Sequence, residues 1–199
     1  GDDMLRAFSK APNMPLRLAT FHAATWDYTL YSEGFLAPFA SNGGLHDTVS
    51  SFISIDELID HPTLDPDYLS VKDVVAIKEG ATSETSKITP DKLASMLHED
   101  GMAVIRLVKR MRPASCALAC ELDDLETWAY LSLYFADKVR AATALHTFRV
   151  SGDRNQQQKA VELLERCLTH WKKLSAITDA HYLEVPYIDH LGYGEAYRD

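Results

Sequence analysis

The residues best placed by type to do chemistry stand close together near the start of the chain: Trp26-Asp27-Tyr28, with Tyr31 and Glu33 just beyond. Aromatic rings beside carboxylates are the means by which proteins grip sugars. The ring covers the apolar C–H face and the carboxylates accept hydroxyl protons. A pair of carboxylates is also the machinery of glycoside hydrolysis, provided the two stand within about 10 Å of each other. Trp26, Asp27, Tyr28, Tyr31 and Glu33 are therefore candidate ligand-binding residues, with Asp27 and Glu33 the pair an enzyme would use. Packing of the same aromatics into a core is the competing reading, and no catalytic residue is assigned.

Other chemistry finds less purchase. The eight histidines are scattered, and His46-Asp47 and Asp189-His190 are neighbours whose side chains diverge on any regular element. No HExxH-like spacing suggests a metal, and Gly43-Gly44 is a turn rather than a phosphate loop. Ser41 and Ser51 lie in no nucleophile-elbow pattern. The expectation is no metal and no cofactor. The three cysteines, Cys116, Cys120 and Cys167, are too few and too odd in number for a disulfide framework. Without further thiol or imidazole partners they read as small buried hydrophobes.

The elements that must position any site are mostly helical. From Leu125 to Phe148 apolar residues recur at steps of three and four, the period of one buried helix face. Asp123 with Glu126 fits a capping box at its start, and Arg149 suits its C-terminal dipole. Gly152 can take the left-handed conformation that ends a helix. A second helix follows over about 156–177, with Ala160, Val161, Leu163, Leu164, Cys167, Leu168, Trp171 and Leu174 as its apolar face. So short a link makes the two antiparallel neighbours.

Upstream, Thr89-Pro90 opens a helix that ends before Pro113 and carries Gly101 inside it. Ser54 with Glu57 caps a short helix that stops before Pro62, and Ser70 with Asp73 caps another. Three longer helices, at roughly 90–111, 122–149 and 156–177, must bury their faces on one another. The fold class is mainly α: a helical bundle with a long antiparallel helical hairpin and a loop-rich N-terminal segment. Residues 1–50 hold Pro12, Pro15 and Pro38 with several glycines, yet are rich in aromatics. They read as an ordered, loop-rich segment packed either on the helical body or, as the end of an upstream domain, on a missing neighbour, leaving 51–199 as the helical bundle domain. Leu16 to Thr20 fits a short strand or a helix equally. Val185 to Asp199 reads as an extended strap or a disordered end.

A net charge of −9 without a basic stripe argues against a nucleic-acid partner. No apolar run approaches the ~20 residues of a membrane span. The chain opens Gly1-Asp2-Asp3-Met4, as expected of a protein whose natural form extends upstream, behind a removed signal peptide or within a larger chain. The hairpin invites a tetratricopeptide comparison through GDRNQQQKAVELLERCL (152–168), but no second copy is found at the ~34-residue period of such repeats.

The run YFADKVRAATALHTFRVSGDRNQQQKAVELLERCLTHWKKL, residues 134–174, resembles the C-terminal helical region of large glycoside-hydrolase-like proteins of gut Bacteroidetes. The turn Ser151-Gly152-Asp153 and the pair Trp171-Lys172 carry the likeness. WDYTLYSEG (26–34) and FISIDELIDHPT (52–63) are similar to the segment that links a catalytic barrel to that region. The resemblance implies a non-catalytic C-terminal helical domain of a secreted or periplasmic carbohydrate-active protein. Its implied partners are carbohydrate and an upstream catalytic domain of the same chain. Two rivals stand beside it: a helical protein–protein interaction module, which needs an exposed apolar groove, and a stand-alone enzyme using Asp27 and Glu33.

Overall fold

A computed structural model describes residues 1–22, 54–78 and 86–182. Seven helices run through them: α1 (Asp2–Lys10), α2 (Asn13–His22), α3 (Ile55–Asp60), α4 (Val71–Lys78), α5 (Pro90–Arg110), α6 (Cys116–Ser151) and α7 (Arg154–His181). The described residues hold no strand, only a single parallel bridge between Tyr68 and Ile88. The protein is mainly α, built round the long antiparallel hairpin of α6 and α7.

Local chemistry sets most boundaries. Ser54 and Glu57 form a full capping box at α3. Thr89 accepts a hydrogen bond from Lys92 N–H at 3.2 Å to open α5, with Pro90 in the first turn. Ser70 Oγ accepts from Asp73 N–H at 3.1 Å while Asp73 reaches back to Ser70. Gly152, at φ 74°, ends α6 in the left-handed region. Asp153 then caps α7 by accepting from Asn155 N–H at 2.9 Å.

Two expectations need correction. The first long helix of the hairpin begins at Cys116 rather than near 122, because Ser115 supplies the cap by accepting from Leu118 N–H at 3.2 Å. Asp123 and Glu126 therefore lie inside the helix, and Asp123 instead meets His181 of α7 at 3.0 Å. Residues 1–22, read as loop-rich, carry α1 and α2, and Leu16 to Thr20 is helical. Pro15 does not break α2, since it sits in the first turn, where no backbone N–H is needed.

Helix α6 is the spine. One core gathers Met14, Leu18, Leu58, Val71, Leu93, Leu97 and Val139 from five helices. A second joins Ala7 and Ala11 to Val104, Leu125, Ala129 and Leu133. Between them α5 and α6 come close enough that Gly101 has no room for a side chain. A Cβ there would lie 2.9 Å from the Ala129 carbonyl oxygen and 3.2 Å from Leu133. Ser132 Oγ donates to the Leu97 carbonyl at 2.8 Å across the same contact. Buried Asp100 ties the N-terminal helices down: Lys10 Nζ donates to it at 2.8 Å, Asn13 at 3.2 Å, and Arg17 also donates. Burial opposes the Asp100 charge, but these donors outweigh it and hold the carboxyl below its ordinary range. Among the described helices, in contrast, α7 makes its substantial contacts with α6 alone.

Candidate functional site

Trp26, Asp27, Tyr28, Tyr31 and Glu33 lie outside the described residues. Within the described residues, what stands out is the outer half of α7. Of the apolar residues assigned to its buried face, only Ala160, Leu163 and Cys167 are buried. Val161 (45% exposed), Leu164 (38%), Leu168 (54%) and Trp171 (41%) face outward. The two sets differ by one residue, about 100° of helix rotation. The second set recurs at steps of three, four and three, which aligns it into one stripe along the helix.

Trp171 closes one edge of the stripe against α6. Its indole centroid lies 5.4 Å from the Tyr134 ring, and Tyr134 meets Phe135 edge-on at 5.0 Å. Lys138 lies in this aromatic corner, its Nζ donating to Tyr134 Oη at 2.9 Å and standing 5.0 Å from that ring's centroid. Burial lowers the Lys138 ammonium to about 8 and raises the Tyr134 phenol to about 12. Cys167, behind Trp171, donates its thiol to the Tyr134 carbonyl at 3.4 Å, and burial pushes it up to about 12. Such a thiol is not a nucleophile near neutral pH. Cys116 and Cys120, expected to be buried, are exposed, because the turn of α6 that holds them lies on the surface.

The opposite side of the α6–α7 seam is polar. Asp137, 2% exposed, receives Arg166 Nε at 3.0 Å and Nη2 at 2.5 Å, while His170 Nε2 lies 3.2 Å away. Burial alone would raise the Asp137 carboxyl, but the hydrogen bonds from His170 and Arg166 prevail and hold it below the usual carboxylate range. Desolvation, and after it the Arg140 guanidinium, lowers the nearby His98 imidazolium. Arg140 itself donates to Ser95 Oγ at 3.0 Å. The carboxylate thus receives two α7 side chains, Arg166 and His170, and ties α7 to α6 on this side. Arg166 and His170 are one turn apart, and that spacing was the available sequence signal. Nothing in the chain marked Asp137, inside an apolar helix, as their partner.

At the far end His181 meets Asp123, and Tyr182 donates to Asp124, so the hairpin is fastened at both ends. Among the described residues no group of three or more His, Cys, Asp or Glu could hold a metal ion. No helix among them is long and apolar enough to cross a membrane. Among the described residues, fold and surface define a helical bundle in which α7 is apolar on two adjoining faces and packs one of them on α6. No protein-family model, curated protein or solved structure matches the chain.

Proposed function

We propose that this chain is a non-catalytic helical domain that works by docking, with the outer stripe of α7 as the surface that meets a protein partner. The observation that carries the reading is the exposure of Val161, Leu164, Leu168 and Trp171 in one line on a helix that, among the described helices, packs substantially on α6 alone. Scattered exposed apolar residues are ordinary, whereas an aligned set marks an interaction surface. The resemblance of residues 134–174 supports placing the domain in a secreted or periplasmic carbohydrate-active protein, where it would support a catalytic domain.

Leu168→Glu tests this reading. On a free docking face the substitution should change the unfolding stability of the monomer, read by chemical denaturation at a protein concentration too low for self-association, by no more than about 0.5 kcal/mol. A loss above about 2 kcal/mol, the scale of a leucine removed from a core, would mean that the chain covers this stripe itself.

One observation favours a second reading, in which the domain binds glycan. Trp171 offers a half-exposed indole backed by Tyr134, a surface that the C–H face of a sugar can cover. Titration calorimetry with an oligosaccharide panel should then give heat that Trp171→Ala abolishes. A panel silent throughout removes glycan binding and leaves docking standing.

A further inference from the structure

Resting on the reading of α7 as a docking face, we infer that the partner of the stripe is a second copy of this chain, paired antiparallel through α7. Three features of the helix carry this. The first is spacing. Val161, Leu164, Leu168 and Trp171 follow the alternating three- and four-residue steps of a coiled-coil seam, and Ser175 and Thr178 continue the series with small residues. A narrow seam of this kind suits the ridge of another helix better than a flat or deeply concave surface.

The second feature is charge. Glu165 and Lys172 each follow a stripe residue, Leu164 and Trp171 respectively, so both lie on the same flank and both are exposed. They are seven residues apart, which puts opposite charges in equivalent positions of successive heptads. In a parallel pair this flank would face the opposite flank of the partner helix, which carries Ala160 and Cys167, and neither Glu165 nor Lys172 would find a charged partner. In an antiparallel pair centred between Leu168 and Trp171, Leu168 packs on the partner's Trp171. Glu165 then comes beside the partner's Lys172, and the two-fold axis repeats the pair. The flank thus forms charge pairs in the antiparallel orientation and none in the parallel one.

The third feature is the self-complementarity of the layers. A two-fold interface must present the same patch to itself. In this register the large residues Leu168 and Trp171 meet at the centre. Leu164 faces the partner's Ser175 and Val161 faces the partner's Thr178, so large residues meet small ones towards the ends.

Sedimentation equilibrium across a range of protein concentrations tests the inference. The unaltered chain should pass reversibly from monomer to dimer. Leu168→Glu should remain monomeric at the highest concentration reached. Lys172→Glu, which sets like charges against each other, should weaken dimerisation at least several-fold at low salt. Adding Glu165→Lys to it should restore most of that loss. A folded chain that stays monomeric throughout overturns the second copy as partner, and if Leu168→Glu keeps its stability, the docking reading survives. A dimer that Lys172→Glu leaves equally tight, or that the double reversal fails to rescue, overturns the antiparallel pairing.

Discussion

Replacing Gly101 by valine is expected to lower stability by about 3 kcal/mol, the upper part of the range for forcing extra carbon into a packed core. At this chain length that corresponds to a fall of roughly 6–12 °C in Tm. The first carbon added already meets the Ala129 carbonyl oxygen at 2.9 Å. That atom belongs to the backbone of α6 and cannot swing aside as a side chain can. Alanine separates the two opposing effects. It gains up to about 1 kcal/mol of helix propensity over glycine, yet it carries the same clashing Cβ. Gly101→Ala should therefore still destabilise, by about 1 kcal/mol, and valine by clearly more. A stabilised alanine variant in differential scanning calorimetry would show that α5 and α6 can part without cost.

Asp137→Ala should cost about 2–3 kcal/mol. The carboxylate accepts two hydrogen bonds from Arg166 and lies within reach of His170. Hydrogen bonds to charged groups contribute about 1.5–3 kcal/mol each. The released Arg166 side chain is 58% exposed and regains water, so the loss stays short of that for a stranded buried charge. The variant should also alter the acid limb of the stability curve. Asp137 has a folded pKa below its unfolded value. Its contribution is therefore fully present above about pH 4 and is lost as pH falls through the folded value. Urea denaturation from pH 6 down to pH 2 should show a shallower decline for Asp137→Ala than for the unaltered chain. Equal slopes would mean that the carboxylate is not held below its ordinary range. Asp100, held down by Lys10, Asn13 and Arg17, keeps part of the slope in either case.

The parts of this architecture legible in the sequence are those decided within a few residues. Ser54, Thr89 and Gly152 announce helix ends because a cap is a contact between near neighbours. The start of α6 was misplaced because Asp123 and Glu126 imitate a capping box that Ser115 had already made unnecessary. α1 and α2 were hidden because they bury few residues each and because Pro12 and Pro15 suggest interruption. What holds them is Asp100, more than eighty residues away in the chain. Periodicity marks the apolar positions on both faces of α7 but cannot divide them. Ala160, Leu163 and Cys167 share the 3.6-residue repeat with Val161, Leu164 and Leu168, and only the location of α6 separates covered from bare.

The tight Ser151-Gly152-Asp153 link has a consequence for the order in which the chain can assemble. The α6–α7 seam closes outward from a turn of a few residues, so each new contact confines little additional chain. The Asp100 clamp must instead close loops of 83 to 90 residues before any of its hydrogen bonds forms. Loop-closure entropy thus places the hairpin early and the docking of α1 and α2 late. In a growing polypeptide α1 and α2 are made before α5 and α6, the helices they pack against, and must wait for them to emerge.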